Sequence, residues 1–260
     1  HGLSWGSGPL VLLVHGFPDT AWTWDAVGPR LAAAGFRAVA PFPRGIAPTA
    51  LPPDDDFRTD TQARDLLATL DALEAEQAVL VGHDFGASAV YAATGLAPAR
   101  VRKLVAVAIP HPATLRPSPG KLWGARHFLT HRLPGAARRF ARDDFAQVRV
   151  LYQRWSPGFE WPEDELTAVK KAYAQPGVLR TALAYYRDLA LRPTPGLSAT
   201  IDVPTLIVGG LSDGVATAAD FEASRRMFTG PVDIQMLPGG HFLHREHPAP
   251  FIDALLAALA

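Results

Sequence analysis

Short apolar runs that end at Gly or Pro alternate along the chain with amphipathic stretches. The runs are 4 to 7 residues long and lie at Leu10–Val14, 37–40, 78–81, 103–109, 204–208 and Val232–Leu237. Continuous apolar runs of this length are typical of parallel strands that are buried on both faces. The pattern therefore predicts a parallel β-sheet.

The amphipathic stretches between these runs predict helices. In the stretch 60–75, leucines share one helical face at positions Leu66, Leu67, Leu70 and Leu73. Further helical patterns cover Phe85–Leu96, 221–228 and 250–259. Alternating strands and helices predict the α/β class, with a doubly wound and mostly parallel sheet.

The alternation stops between residues 113 and 195, where the patterns are helical throughout. One helix start is marked by Pro162 and the three acidic residues after it, because Pro fits a first turn and acidic groups favour the positive end of the helix dipole. Pro- and Gly-rich stretches at 111–120 and 192–196 flank the segment. The sequence thus predicts a core of residues 1–112 and 196–260, interrupted by an all-helical cap of residues 113–195.

Composition and charge exclude several other classes of protein. The chain has 260 residues, of which 48% are hydrophobic, and it has no cysteine, which excludes disulfides and thiolate chemistry. Net charge is zero, although residues 113–195 carry 14 Lys and Arg against 7 Asp and Glu. That segment has no recognised nucleic-acid motif, so a solvated basic face is favoured and no nucleic-acid partner is expected.

The apolar runs are too short for a membrane span, which takes about 20 residues, so no membrane association is expected. No signal-peptide pattern is present, and a cytoplasmic location is expected. Because the chain begins with His1 rather than Met, a removed export signal stays open. The oligomeric state is expected to be a monomer or a homodimer.

A candidate nucleophile, Asp84, lies between a predicted strand and a predicted helix in the sequence Gly82-His83-Asp84-Phe85-Gly86. This is the context of a nucleophile elbow, in which a sharp turn lifts one side chain above the sheet. A carboxylate is ionised at neutral pH, and it can displace a leaving group at an sp³ carbon to form an ester. Alone, the pattern also fits a glycine-rich turn in which Asp84 caps the helix.

A loop that could supply an oxyanion hole follows the first apolar run. It reads His15-Gly16-Phe17-Pro18. Hydrolysis of an ester on Asp84 would build negative charge on a carboxyl oxygen, and backbone N–H groups stabilise such charge. The backbone N–H groups of Phe17 and Phe85 are the expected donors.

An acid and a base follow the last two predicted strands. Asp213 comes after the strand 204–208, and His241 follows Val232–Leu237. In a parallel sheet both loops lie at the same edge as Asp84, and the chain order of nucleophile, acid and histidine is that of α/β-hydrolases. His241 could deprotonate water while Asp213 orients the imidazole. Rival residues fit less well at His244, His247, Asp202 and Asp220.

These motifs resemble those of the epoxide hydrolases of the α/β-hydrolase superfamily, and the resemblance covers nearly the whole chain. Its specific parts are H-G-F-P at 15–18, G-H-D-F-G-A at 82–87, Asp213, and G-H-F-L-x-x-E-x-P at 240–248. The resemblance implies conversion of a small apolar epoxide and water to a vicinal diol through an aspartyl ester. It implies no metal and no organic cofactor.

The resemblance also implies two acids in the cap, because family members usually carry two tyrosines that donate to the epoxide oxygen. The second tyrosine usually precedes Arg, as Tyr186 does here. Counting back from Leu-Pro-Gly at 133–135 puts His127 where the first tyrosine is expected. A His/Tyr pair occurs in one branch of these enzymes, so His127 and Tyr186 are the expected acids, with Tyr152 as an alternative first acid. Further substrate contacts are expected at His15, Pro18, Trp22, Tyr152 and Trp155.

Haloalkane dehalogenases are the nearest alternative, because they share the Asp-His-Asp chemistry. They usually have Trp after the nucleophile and Asn or Glu after the first His-Gly, where this chain has Phe85 and Phe17. Trp155 could supply one halide donor but not the usual pair. Fluoroacetate dehalogenases expect Arg at the position of Phe85. A catalytically silent, hydrolase-like binding protein is a further alternative, and the intact set of candidate catalytic residues argues against it.

Overall fold

The computed structural model describes residues 1–116, 126–189 and 193–260. Its strands are β1 Gly2–Trp5, β2 Leu10–Val14, β3 Arg37–Pro41, β4 Ala78–His83, β5 Val101–Val107, β6 Thr205–Gly210 and β7 Val232–Leu237. In this part of the chain they form one seven-stranded sheet in the order β1-β3-β2-β4-β5-β6-β7. β1 pairs antiparallel with β3, and every other neighbouring pair is parallel. The predicted doubly wound, mostly parallel sheet is confirmed.

The strand β1 was not predicted from the sequence. It lies at the sheet edge, and exposed and half-buried residues alternate along it. An edge strand that faces solvent has no continuous apolar run to mark it. The predicted strand 103–109 is shifted by two residues relative to β5, because the apolar run continues into the loop that follows the strand.

Alternate residues of the central strands face two separate apolar layers. In β2, Val11 and Leu13 belong to one layer, whereas Leu10, Leu12 and Val14 belong to the other. Successive strand side chains point to opposite faces, so a strand buried on both faces is apolar at every position. This explains why the buried strands appear in the sequence as continuous apolar runs.

Helices cover both faces of the sheet and fill the segment between β5 and β6. Their bounds are α1 Gly28–Ala33, α2 Thr59–Ala72, α3 Phe85–Leu96, α4 Arg126–Arg132, α5 Ala136–Phe140, α6 Arg142–Trp155, α7 Glu163–Tyr173, α8 Val178–Arg187, α9 Pro195–Ser198, α10 Ala218–Ala223, α11 Leu243–Glu246 and α12 Pro248–Leu259. The predicted helix 221–228 is divided between α10 and a 3₁₀ turn at Ser224–Met227. Among the described helices, none is long and apolar enough to cross a membrane.

The segment between β5 and β6 contains the helices α4 to α9, with no strand in its described part. Buried residues of this segment such as Tyr152, Trp155 and Tyr186 join the same apolar layer as Val11 and Leu13 of β2. The flanking stretches 117–125 and 190–192 lie outside the described residues, and with them parts of both predicted Pro- and Gly-rich boundaries. The division into core and cap stays a prediction.

Candidate active site

The turn between β4 and α3 holds Asp84 in an uncommon backbone conformation. Asp84 has φ 54° and ψ −120°, and its carbonyl accepts a 2.9 Å hydrogen bond from the Ala87 N–H. A positive φ is costly for a residue with a Cβ and persists where the surroundings require it. Gly16 lies so close that an added Cβ would overlap Oδ1 and Cβ of Asp84. The loop after β2 therefore packs directly against the carboxylate.

The Asp84 carboxylate is held between a backbone donor and an imidazole. The Phe17 N–H donates to Oδ1 at 2.8 Å, and Nε2 of His241 lies 3.3 Å from Oδ2. Burial raises the pKa of Asp84. The hydrogen bond and charge of His241 lower this pKa and outweigh burial, so the net shift is downward. Asp84 is therefore ionised at neutral pH. The other expected oxyanion donor, the Phe85 N–H, makes no hydrogen bond to this carboxylate in the described structure.

Asp213 and His241 form a buried pair beside Asp84. Nδ1 of His241 lies 3.1 Å from Oδ2 and 3.3 Å from Oδ1 of Asp213, and both side chains are fully buried. Burial lowers the pKa of His241, but the charge and hydrogen bond of Asp213, together with those of Asp84, raise it to about 10. The resting imidazole is therefore cationic and lies between two carboxylates.

The rival acids and bases are occupied or lie elsewhere. Nε2 of His244 lies 2.8 Å from Oγ1 of Thr23, and His247 is exposed. Asp220 accepts a hydrogen bond from the Thr217 N–H at the start of α10, and Asp202 is exposed before β6. The structure brings together Asp84, Asp213 and His241.

A cavity of about 230 Å³ opens above the nucleophile. Asp84 and Phe85 line it from the core, and His127, Trp155 and Tyr186 line it from the cap segment. Most of the remaining lining is apolar and includes Ile109, Leu115, Phe128, Leu189, Leu197 and Val215. A pocket that is largely apolar with a few converging polar groups is typical of a small-molecule site.

Tyr186 and His127 meet at the cap side of this cavity. The Tyr186 ring packs edge-on against Phe17 at 5.0 Å and Phe85 at 4.9 Å between ring centroids. The His127 ring lies 5.6 Å from Tyr186 and 5.1 Å from Trp155. Burial, and next the charge of Asp84, raise the pKa of Tyr186 well above its ordinary value. The Tyr186 hydroxyl therefore stays protonated.

Tyr152 lies elsewhere than the sequence predicts. It is fully buried, and its hydroxyl donates to the Pro18 carbonyl at 3.0 Å and accepts from Arg245 at 2.9 Å. Its ring stacks on Phe242 with 4.1 Å between centroids. Because the hydroxyl is engaged away from the cavity, Tyr152 does not lie where the first cap acid or a substrate contact is needed. Of the two candidates for the first cap acid, His127 lines the cavity and Tyr152 does not.

Three other expected substrate contacts also lie outside the cavity lining. Trp22 is 52% exposed on the surface, because its short 3₁₀ helix faces solvent on that side. His15 is buried beneath the turn, where Nδ1 lies 2.9 Å from the Gly16 carbonyl. The carbonyl of Pro18 accepts from Tyr152. His15 and Pro18 thus take part in the loop beneath the site, and Trp155 alone of the five expected contacts lines the cavity.

Glu246 and Ser156 are contacts of the site that sequence reasoning did not identify. Both are buried, and their side chains surround the loop that carries His241. Glu246 is part of the motif at 240–248. Its fixed spacing along the chain from His241 in that motif is the sequence feature that could have identified it. Ser156 directly follows α6, and no local sequence pattern links it to that loop.

A group of metal-type ligands lies near the site. In the part of the chain that the structure describes, Asp19, His83 and His244 are buried, with ligand atoms within 4.8 Å of one another. Asp19 is paired with Arg245 at 3.4 Å, and one ring nitrogen of each histidine is hydrogen-bonded.

A strand–turn–helix that presents Asp84, with an acid and a histidine following later strands of the same sheet, is the arrangement of the α/β-hydrolases. The family model described as alpha/beta hydrolase fold matches residues 9–248. The chain belongs to this family.

Individual relatives are similar over nearly the whole chain. The AB hydrolase superfamily protein YfhM of Bacillus subtilis is 26% identical over 248 residues, which cover 93% of this chain and 87% of the relative. An epoxide hydrolase of Caballeronia sordidicola is 28% identical over 303 aligned residues, covering 100% and 90%. The solved structure of an epoxide hydrolase from an endophytic Streptomyces has a TM-score of 0.86 and 27% identity, covering 100% and 91%. The resemblance to epoxide hydrolases is confirmed.

The position of His241 between two carboxylates predicts its titration. We expect NMR of the ring nitrogens to show an imidazolium through neutral pH, with a pKa of about 10. Asp213→Asn and Asp84→Asn should each lower this pKa, because each removes a negative charge that favours the cation. Asp202→Asn, at an exposed position before β6, is the control and should leave it unchanged. Titration of His241 near its ordinary value in the wild type would contradict the prediction.

Proposed function

We propose that this protein hydrolyses epoxides to vicinal diols through a covalent ester on Asp84. The observation that carries the proposal is that one cavity is lined both by Asp84 and by the two candidate acids, Tyr186 and His127. Opening an epoxide needs a nucleophile on one side and an acid for the oxygen on the other. The names of the Caballeronia and Streptomyces relatives support the same reaction.

The first step is alkylation of Asp84. A carboxylate oxygen attacks one epoxide carbon, the bond from that carbon to the ring oxygen breaks, and its electron pair stays on the oxygen. Tyr186 gives its proton to this oxygen, assisted by a hydrogen bond from His127, and regains a proton from solvent. The net result is a 2-hydroxyalkyl ester of Asp84. Because Asp84 is ionised at rest, no base is needed for this step.

Ester formation changes the state of His241. Asp84 loses its negative charge when it is alkylated, and this charge is one of the groups that raise the pKa of His241. Burial still disfavours the imidazolium, and of the two carboxylates only Asp213 remains to stabilise it. The pKa of His241 therefore falls, and the imidazole can release its proton. The first step thus prepares the base that the second step uses.

The second step is hydrolysis of the ester. His241 takes a proton from water, and the hydroxide attacks the carbonyl carbon of Asp84. Negative charge develops on the carboxyl oxygen, where the Phe17 N–H already donates at 2.8 Å, with Phe85 as the proposed second donor. Collapse breaks the bond between this carbon and the ester oxygen, and His241 returns the proton to the departing alkoxide, which gives the diol. The carboxylic acid that remains on Asp84 then passes its proton to His241, which restores the carboxylate and the imidazolium of the resting site. Asp213 stabilises the transient imidazolium.

The cavity indicates the substrate class. A volume of about 230 Å³ with mostly apolar lining suits a small apolar epoxide, and water is the second reactant. Haloalkanes are a less suitable class, because the side chains of Phe17 and Phe85 cannot donate to a leaving halide. Trp155 also lines the cavity, and its side chain has one N–H group.

The reaction is tested by a parallel assay on small epoxides and haloalkanes, with the His241→Gln variant measured beside the wild type. We expect diol from the wild type without halide release, since Tyr186 can donate to an oxygen. His241→Gln should accumulate a protein adduct of substrate mass on Asp84, because the base for hydrolysis is missing. Asp84→Ala should lose turnover and form no adduct. Halide release without diol would favour the dehalogenase, and turnover without any adduct would exclude the two-step path.

Two adjacent tyrosines allow a matched test of the proposed acid. Tyr186→Phe should slow alkylation of Asp84 by about 100-fold, because a general acid contributes a factor of this order. Tyr185→Phe removes a hydroxyl that donates to the Arg44 carbonyl at 3.0 Å, and should leave the alkylation rate nearly unchanged. Rapid-quench mass spectrometry of the first turnover measures both rates. Equal effects of the two substitutions would argue against Tyr186 as the acid.

The two steps should respond differently to pH. Hydrolysis needs neutral His241, whose pKa in the ester is still raised by Asp213, so this step should slow as the pH falls. Alkylation needs ionised Asp84, whose pKa is lowered, so it should persist at the same pH. We therefore expect the steady-state fraction of ester to rise as the pH falls, measured by acid quench and intact-protein mass. A falling rate without accumulation of ester would contradict this assignment.

A further inference from the structure

The backbone around His241 is held by groups from outside its own loop. The His241 N–H donates to the Trp155 carbonyl at 3.0 Å, and the His241 carbonyl lies 2.9 Å from Nε2 of His83. Burial is the main cause that lowers the pKa of His83 to about 3, so His83 is neutral and donates through this nitrogen. Both backbone polar groups of the base are therefore tied to other elements.

The neighbours of His241 are held by a buried carboxylate. Glu246 accepts from the Gly240 N–H at 2.9 Å with Oε2 and from the Phe242 N–H at 3.1 Å with Oε1. The Ser156 hydroxyl donates to Oε1 at 2.5 Å and accepts from the Phe242 N–H at 3.2 Å. We call the Trp155 carbonyl, the Ser156 hydroxyl and the Glu246 carboxylate the cap–base latch.

The latch also reaches the acid. The Gly214 N–H, next to Asp213, donates to the same Trp155 carbonyl at 3.0 Å. At Gly240 an added Cβ would meet the backbone and side chain of Ser156, so the close approach requires glycine. The end of α6 is thus packed between the loop of the acid and the loop of the base. The Trp155 ring meanwhile lines the substrate cavity, 5.4 Å from the His241 ring.

We propose that Ser156 and Glu246 are positioning residues for the hydrolysis step, which fix His241 between Asp84 and Asp213 by docking the end of α6 against its loop. This inference rests on the proposed two-step reaction. Neither residue is required to touch the substrate, because both bind backbone around His241. They act through the orientation of the imidazole.

The proposal separates the two half-reactions. Alkylation depends on Asp84, whose backbone is fixed by the β4–α3 turn and whose Oδ1 accepts from the Phe17 N–H, and neither of these contacts involves the latch. Hydrolysis depends on the His241 imidazole, and misplacement of a catalytic group by about 1 Å can cost about 100-fold in rate. Weakening the latch should therefore slow hydrolysis far more than alkylation.

The test compares Ser156→Ala and Glu246→Gln with matched controls at exposed sites, Ser4→Ala and Glu222→Gln. In single-turnover experiments with a small epoxide, we expect hydrolysis to slow about 10-fold or more and alkylation to change less than about 3-fold. The ester should accumulate, and kcat and KM should fall together while kcat/KM stays nearly constant. A purely structural role would lower the active fraction, so kcat would fall with KM unchanged, and that outcome overturns the proposal.

A measurement without substrate keeps the latch testable if the proposed function fails. Absence of both diol and Asp84 adduct in the wild type would reject the epoxide reaction, whatever the latch does. NMR titration of His241 then decides the positioning role. Ser156→Ala removes no charge, so a lower pKa of His241 in this variant would show that the imidazole has moved away from the carboxylates. An unchanged pKa in Ser156→Ala overturns the proposal, even if Glu246→Gln does not fold.

Discussion

The arrangement of the site depends on one buried interaction, a cationic imidazole between two carboxylates. His241 lies 3.3 Å from Asp84 and 3.1 Å from Asp213, with its side chain inaccessible to solvent. Burying charged groups costs free energy. This cost is compensated where opposite charges lie close together and the remaining polar groups are hydrogen-bonded. Small displacements would leave charge unpaired in the interior. The loops that carry these groups must therefore be held within about 0.5 Å of this geometry.

The fold holds these loops in place through the ends of several strands and the end of one helix. β2, β4, β6 and β7 are joined through parallel pairing, so the residues that follow them meet at one sheet edge. Backbone packing at Gly16 and Gly240 leaves the loops little freedom to separate. The end of α6 completes the frame, because the Trp155 carbonyl accepts from the N–H groups of His241 and Gly214.

The sequence predicts well what depends on strand order and poorly what depends on how the helices of the cap dock. Asp84, Asp213 and His241 each follow a strand that pairs in parallel with its neighbours, so their proximity follows from a parallel sheet. Tyr152 is the alternative first acid in the sequence analysis, yet its hydroxyl donates to the Pro18 carbonyl and accepts from Arg245. Helical periodicity predicts which face of a helix is buried, but not which residues elsewhere in the chain that face contacts. For the same reason the contact of Ser156 with Glu246 has no signature in the sequence.

The charge of Asp84 connects the two sides of the cavity. It raises the pKa of Tyr186 from the cap side and, together with Asp213, that of His241 from the core side. In the proposed reaction this charge leaves Asp84 as the ester forms and the epoxide oxygen takes it up. Tyr186 then becomes a stronger acid while the alkoxide appears beside it, and His241 becomes able to accept a proton from water. One transfer of charge thus activates the acid of the first step and the base of the second.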